Sequence, residues 1–360
     1  MSPWGRVIPA PFLCANDCGP GGYDPPRKMN PVSVTTARLA SASPRFSYRR
    51  LAAAQDLPAD VLLAIGFGDG VTTGERRVRV ALEPLSGAGL TELWMANGPV
   101  TCGEFAGVRF SSDEHFLAGV LEVHESEHGG LAQAAAAAYR TLARFQSESR
   151  FPHLLRTWNY FDAINEGAGD AERYRNFCTG RVAGLAQWRQ LQHPAATVIG
   201  GREDRRVLQL YWLAGREPGL ALENPRQVSA YLYPRQYGET APTFSRAMLV
   251  TPGLLMISGT ASIVGHASRH LDDTREQARE ILANLDSLLA RAHSQAPALP
   301  ATLGRETLIK AYLRNRADLP VVEAALRERL PPDTPLLLLQ GDVCRAELLV
   351  ELDCVAYSGG

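Results

Sequence analysis

Leu348-Leu349-Val350-Glu351-Leu352-Asp353-Cys354-Val355-Ala356 is the stretch on which the fold turns. Side chains alternate along a strand, so Leu348, Val350, Leu352, Cys354 and Ala356 share one face while Glu351 and Asp353 share the other. The apolar face has to be covered. The carboxylate face is either the solvated side of a half-buried strand, the commoner case, or a site. Just upstream, residues 307–313 read as a strand, Asp318 and Pro320 open a helix to about Leu330, Pro331-Pro332 stop it, and residues 336–339 form another strand. The C-terminal unit is therefore β-α-β-β.

Further upstream, residues 254–264 read as a strand pair around Ser258-Gly259-Thr260. Asp273 then caps a helix, with Glu276 completing a capping box. Ala278, Ile281, Leu282, Leu285, Leu288 and Leu289 give that helix one buried stripe. Residues 195–199, 207–213 and 228–233 are apolar, β-branched and aromatic, and predict an antiparallel sheet.

In the first half, residues 61–65 and 78–82 read as strands broken by turns such as Gly66-Phe67-Gly68-Asp69-Gly70. Residues 116–123 form a strand, 131–145 an Ala-rich helix, and a further strand ends near Trp158-Asn159-Tyr160-Phe161. After a loop over 163–171, Tyr174-Arg175-Asn176-Phe177 opens a helix running to about Leu191. Each half holds a strand–helix–strand block, which hints at duplication. The expectation is an α/β (α+β) chain with domains at 36–192 and 193–360. A disordered Pro/Gly-rich tail, 1–35, precedes them; it lacks the apolar stretch of roughly 7–15 residues that a secretory signal needs. Met29-Asn30-Pro31-Val32 offers a second start.

With 37 basic and 38 acidic residues the net charge is −1, so no bulk field draws nucleic acid or an anionic membrane. No run approaches the roughly 18 apolar residues of a membrane span. Cys14, Cys18, Cys102, Cys178, Cys344 and Cys354 are too scattered for a disulfide framework, and a reducing cytoplasm fits. Cys14 and Cys18 are spaced like half a zinc site, but no matching Cys or His pair follows nearby. His266 and His270 are four apart, yet Gly265 argues against helical placement. No metal is expected. Ser258-Gly259-Thr260 lacks a hydrolase-elbow context, and no dinucleotide or Walker pattern occurs.

Two clusters interleave arginine with aromatic rings. One is Tyr231-Leu232-Tyr233-Pro234-Arg235-Gln236-Tyr237, continuing to Phe244-Ser245-Arg246; the other is Trp158-Asn159-Tyr160 with Arg173, Arg175 and Arg181. Guanidinium groups fork carboxylates while phenol rings stack and hydrogen-bond, which suits a small, flat dicarboxylate. A Tyr/Arg-rich sheet surface and a solvated helix start are equally open readings.

Taken together, Trp158-Asn159-Tyr160-Phe161, Tyr174-Arg175-Asn176-Phe177-Cys178, Pro225-Arg226-Gln227-Val228-Ser229-Ala230-Tyr231, Ser258-Gly259-Thr260-Ala261-Ser262 and Cys344 seven before Glu351 resemble the chorismatases, over roughly residues 45–357. The resemblance implies two RidA/YjgF-like (chorismate mutase-like) modules, with mixed sheets packed with helices on one face. It implies a chorismate-converting activity without metal or organic cofactor. Glu351 would be the acid that protonates the enol ether, creating an oxocarbenium centre that loses pyruvate. Arg246 and Arg235 would hold the two carboxylates, with Arg181 a third candidate, and Tyr160, Tyr231 and Tyr233 would line the pocket.

The family also implies a product. The branch that hydrolyses chorismate to a dihydroxycyclohexadiene carboxylate has alanine where this chain has Cys344, whereas branches making 3-hydroxybenzoate have cysteine. The partner position falls on Ala261, alanine in the hydrolytic branch and glycine in one 3-hydroxybenzoate branch, so the pattern is mixed. A third branch, linked to aryl-polyene pigment and quinone precursors, yields both 3- and 4-hydroxybenzoate. The rival activity is a RidA-type imine deaminase, but the Pro-Ala-Arg-Ser turn of those enzymes is replaced by Thr334-Pro335-Leu336-Leu337. Related modules bury sites at trimer interfaces, so both a homotrimer and a monomer are open.

Overall fold

The computed structural model describes residues 43–358 except 52–54, 70, 88 and 189–191. The expected tail, the Cys14/Cys18 pair and Met29 lie outside the described residues. Chain order begins with β1 (Arg45–Arg50), β2 (Val61–Phe67), β3 (Arg77–Val80), β4 (Pro84–Ser86) and β5 (Leu90–Met95), of which four form an N-terminal sheet in the order β1-β5-β2-β3.

Two further sheets follow. The first comprises β6 (Thr101–Phe105), β7 (Val108–Ser112), β8 (Phe116–His124), β9 (His153–Asp162), β10 (Ala195–Gly201) and β11 (Val207–Gly215), with α1 (Leu131–Glu148) after β8 and α2 (Arg173–Leu185) between β9 and β10. The second contains β12 (Leu220–Leu222), β13 (Ala247–Thr251) and β14 (Leu254–Ala261), after which the chain forms a separate small hairpin of β15 (Ile263–Val264) and β16 (Ala267–Ser268). It continues with α3 (Thr274–Gln295), β17 (Thr307–Leu313), α4 (Leu319–Arg327), β18 (Leu336–Gln340) and β19 (Val350–Tyr357).

The strand orders are β10-β9-β11-β8-β7-β6 and, read from its other edge, β4-β18-β17-β19-β14-β13-β12. Apart from β4 these are the same topology. In each, a single parallel pair joined by a helix (β9/β10 and β17/β18) sits in an otherwise antiparallel sheet. The duplication hinted at by the sequence is therefore a duplication of fold.

It also moves the expected boundary at 192/193. Helix α2 is a crossover between parallel strands, which need one, so its end cannot close a module. Strands β10 and β11 complete the first sheet, and the division by sheet membership falls between Gly215 and Leu220.

Helices cover one face of each sheet. Leu131, Ala134, Ala138, Leu142 and Phe145 of α1 pack with Leu208, Leu210 and Trp212 of β11, and the α3 stripe packs with Val350, Leu352, Cys354 and Ala356 of β19. The Asp273 carboxylate accepts from Glu276 N at 3.0 Å, the cap that starts α3. The other faces of both sheets and the N-terminal sheet share one core, including Phe46, Ile65, Trp94, Trp158, Tyr211, Met256, Tyr312 and Val355. Among the described residues no helix is long and apolar enough to cross a membrane.

Three local expectations change. Helix α2 ends at Leu185 rather than near 191. Residues 254–264 form one strand and a short hairpin arm instead of two paired strands. Residues 228–233 form no strand but a 3₁₀ turn, Ala230–Leu232, followed by another, Arg235–Tyr237. Pro225 and Pro234 bracket that segment and remove ladder donors from it.

Candidate active site

Glu351 and Asp353 do not face solvent. They are 5% and 1% exposed, and they look into the junction between the two modules. A bulge creates the space above Glu351. In the β14–β19 pairing Ile257 stands opposite Cys354, but Thr260 stands opposite Leu352, so β14 carries an extra residue at Ser258-Gly259. The bulge is held from the other module and from the chain before β13. Ser258 N donates to Arg246 O (2.9 Å), Ser258 Oγ to Ser245 O (2.6 Å), Ala196 N to Ser258 Oγ (2.9 Å) and Gly259 N to Thr197 Oγ1 (3.1 Å). The Glu351 carboxyl lies against Gly259, where a Cβ would overlap Oε1. Only glycine leaves that carboxyl its place.

The two carboxyls have opposite surroundings. Asp353 Oδ2 accepts from Tyr312 OH (2.8 Å), Trp158 Nε1 (3.0 Å) and Thr197 Oγ1 (3.1 Å), and Arg156 Nη2 stands at 3.6 Å. Lys310 Nζ lies 3.7 Å from Oδ1. That set of donors and cations holds a charge. Glu351 has no bonded protein donor among the described residues; burial first, then the Asp353 charge, push its pKa up to about 8, with Arg156 and Arg246 opposing. The group is therefore a carboxylic acid at neutral pH, as a proton donor must be.

Above it opens a cavity of about 530 Å³ lined from both modules. Arg246 and Arg345 both line it. Arg246 Nη2 donates to Val228 O (2.8 Å) and Tyr233 OH (2.7 Å), and its guanidinium lies 5.2 Å from the Phe244 ring. Arg345 Nη1 donates to His266 O and Ser268 Oγ (both 3.0 Å), and its guanidinium stacks 3.8 Å from the Tyr237 ring. Among the described residues neither has a carboxylate within ion-pair distance. Arg175, paired with Asp170 and Glu172, and the carboxylates of Glu172 and Glu347 line the same cavity, which leaves Arg246 and Arg345 as its two guanidinium groups outside an ion pair; such a pair suits a dianion.

Cys344 also lines the cavity and packs against Ala261, which stands opposite Glu351 in the sheet. Burial, then the neighbouring Glu351, push the Cys344 thiol up to about 12. It is a neutral wall, not a nucleophile.

The other sequence candidates separate. Tyr233 lines the cavity. Arg235 does not: it is exposed and forks Asp170 at 2.5 and 2.9 Å, tying the loop before α2 to the segment before β13. Arg181 is buried under the Tyr139 ring, 5.0 Å from its centroid, away from the cavity. Tyr160 is a core residue whose hydroxyl meets those of Tyr211 and Tyr312 at 3.2 Å. Tyr231 is exposed and packs on His193. Arg345, Tyr237, Phe244 and Gly259 were missed. Tyr237 and Phe244 lay inside the Tyr/Arg cluster, and Arg345 directly follows Cys344, so adjacency was the available signal.

Fold and site together define a two-module enzyme suited to acid chemistry on a small dianion. Comparison with known proteins gives the family. Residues 92–214 match the domain described as chorismatase FkbO/Hyg5-like, N-terminal. The chain is 35% identical over 277 residues to a 3-hydroxybenzoate synthase of Streptomyces hygroscopicus, covering 73% of this chain and 80% of that one. It is 33% identical over 313 residues to a chorismatase of the same organism, covering 83% and 90%. A chorismatase crystal structure superposes with a TM-score of 0.78 at 31% identity, over 88% of this chain and 98% of that one. The chain belongs to the chorismatase family.

Proposed function

We propose that this enzyme converts chorismate to 3-hydroxybenzoate and pyruvate, with Glu351 as the acid. The observation that carries the reading is the buried, donor-free Glu351 carboxyl, protonated at neutral pH, facing a cavity with two unpaired guanidinium groups. Chorismate is a dianion whose enolpyruvyl methylene must meet the acid. Arg246 acts on the charge of Glu351, so it suits the carboxylate of the enolpyruvyl arm, leaving the ring carboxylate to Arg345. Proton transfer to the methylene carbon gives an oxocarbenium centre and a Glu351 carboxylate. The ring C3–O bond then breaks, its electrons completing the carbonyl of the released pyruvate, while the C4 hydroxyl oxygen closes onto C3 and returns its proton to Glu351. Opening of the C4–O bond of that bridge, with loss of the C3 hydrogen as a proton and uptake of one by the oxygen, gives 3-hydroxybenzoate with no net proton change.

The atoms of chorismate equal those of hydroxybenzoate plus pyruvate, so this outcome consumes no water overall. The hydrolytic outcome, a dihydroxycyclohexadiene carboxylate plus pyruvate, consumes one. Ala261 favours that second reading and Cys344 the first; both line the cavity, and Cys344 packs on the small cluster to which Ala261 belongs. Both modules of a single chain supply the lining, which suits a site complete within one subunit whether the protein is a monomer or a homotrimer. The free thiols of Cys102, Cys178, Cys344 and Cys354 agree with a reducing, cytoplasmic setting.

The test is incubation of the purified protein with chorismate. Pyruvate is followed by a coupled assay and the aromatic product by chromatography. Stoichiometric pyruvate and 3-hydroxybenzoate are expected, and Glu351→Gln should abolish both. Undiminished release from that variant would remove Glu351 from the mechanism.

A further inference from the structure

Beneath the Glu351–Asp353 face lies a second pair of buried charges that lines no part of the cavity. Lys310 Nζ of β17 donates to Glu92 Oε2 at 2.8 Å, and Glu92 Oε1 accepts from Trp94 Nε1 at 2.8 Å. Both charged side chains are at most 3% exposed. Glu92 belongs to β5, in the N-terminal sheet outside the two duplicated modules. A buried ion pair contributes little net stability once desolvation is counted. The apolar face of the N-terminal sheet already attaches it, through residues such as Phe46, Leu63, Ile65 and Trp94. Adhesion alone leaves the pair unexplained.

We infer that Glu92 is a positioning residue for the reaction: through Lys310 it sets the net charge beneath Glu351 and so keeps the proton on the acid. The inference rests on the reading of Glu351 as that acid. Arg156 and Lys310 bring two positive charges to the cluster; Asp353 and Glu92 bring two negative ones. The four cancel with Glu351 neutral. Without Glu92, Lys310 is left with Asp353 as its one carboxylate partner, and an unmatched cation sits under the acid. Burial works against the Lys310 charge, but Asp353 and Glu92 outweigh it and hold its pKa above the ordinary value, so the cation persists.

The titratable groups facing Glu351 come from several elements: Asp353 from its own strand, Arg156 from β9, Tyr312 from β17, Tyr174 from α2, Cys344 from the loop before β19 and Arg246 from the chain before β13. Arg345 and Glu347 line the same cavity. Glu92 and Lys310 line no part of the cavity, so they can be altered without removing a substrate contact.

The test is the pH profile of kcat/KM for pyruvate release by the full-length enzyme. A unit charge buried within about 10 Å moves a pKa by about one unit. Glu92→Gln keeps the shape and, through its single amide oxygen, one of the two accepted hydrogen bonds, and it removes the charge, so its alkaline limb should move down by about one pH unit, with activity recovered on acidification. Lys310→Met should move the limb up. The double variant Glu92→Gln/Lys310→Met, balanced again, should return it towards the wild-type position. Equal loss at every pH in all three variants, with the limb unmoved, overturns the inference and leaves Glu351 as the acid. If wild-type enzyme shows no alkaline limb, or Glu351→Gln releases pyruvate undiminished, it is the reading of Glu351 that fails. Should Glu92→Gln not fold, the upward shift in Lys310→Met decides. The infrared carbonyl band of protonated Glu351, assigned by its loss in Glu351→Gln, reads the same midpoint without turnover.

Discussion

β11 and β19 hold the same place in two sheets of the same strand order, and their faces have met different fates. Towards the helices both are apolar: Leu208, Leu210 and Trp212 on one, Val350, Leu352, Cys354 and Ala356 on the other. Towards the other sheet β11 presents Gln209, Tyr211 and Leu213, while β19 presents Glu351, Asp353 and Val355. Gln209 donates to Arg79 O and Glu122 at 2.8 and 2.7 Å, a neutral group with partners. Glu351 is a carboxyl with none. The helix-facing pattern is what folding requires of both strands; the inner face is where duplicated copies can diverge, and in β19 the divergence opposes stability.

The comparison is broken most severely by Glu351→Gln, which gives β19 the residue type that β11 carries. Loss of a positioned acid should lower kcat by about 10²–10⁴-fold, read as pyruvate release. The same change should stabilise the fold at alkaline pH. The folded pKa of about 8 lies above the ordinary carboxyl value of 4.5, so the native state binds the extra proton between those values. Stability is therefore fully present below about pH 4.5 and falls as pH rises through 8, by up to about 5 kcal/mol. Thermal melts of the two proteins should diverge as pH increases, the Gln variant being the more stable. Convergent melts would mean that Glu351 is not held neutral by burial. Wild-type activity should fall across the same alkaline window.

Next in size is the pair of cations. Arg246→Lys keeps the charge but loses the planar fork, the bonds to Val228 O and Tyr233 OH and the packing on Phe244. A drop in kcat/KM of about 10²-fold is expected, carried mainly by KM. Arg345→Lys should behave alike through loss of stacking on Tyr237. A change of less than about 3-fold in either would show that the dianion binds elsewhere.

Cys344→Ala is smaller in rate and larger in kind. The thiol is neutral, so its removal takes away shape and a weak donor next to Ala261 and Glu351, not a nucleophile. Total pyruvate release should fall by less than about 10-fold, while chromatography shows 3-hydroxybenzoate giving way to the dihydroxycyclohexadiene acid. An unchanged product ratio would assign the choice of outcome to other lining residues.

How far the sequence carried these conclusions depended on whether the signal was local. The alternation in 348–356, the Asp273 cap and the stripe of α3 are short-range, and they fold as read. The carboxylates of β19 were ambiguous, because alternation says which face a residue takes but not what covers it; the covering surface comes from β9, β10 and the N-terminal sheet. The split of the arginines was invisible for the same reason. Arg235, Arg246 and Arg345 are equally basic in sequence, but the turn at Arg235–Tyr237 sends one outward, and the loop after β18 brings another in. Tyr160 lies in the inter-sheet core beside Tyr312, and Arg181 is buried under the Tyr139 ring; neither reaches the cavity.

Arg235→Ala gives the smallest expected effect and sharpens the comparison at its outer rim. On sequence grounds Arg235 was a carboxylate clamp; in the fold it is 63% exposed at its side chain and paired with Asp170, itself 43% exposed. An exposed, solvent-screened ion pair contributes little, and the segment before β13 is also tied to α2 by Arg175 Nη2 to Gln236 O at 3.1 Å and Thr179 to Thr240 at 3.2 Å. Its removal should therefore change kcat/KM by less than about 5-fold, with a further loss of salt dependence because the screened contact is gone. Asp170→Ala should reproduce that effect, and the double variant should add nothing to either. A loss as large as that of Arg246→Lys, present in Arg235→Ala but absent from Asp170→Ala, would instead mean that Arg235 leaves Asp170 and turns to the substrate when chorismate binds.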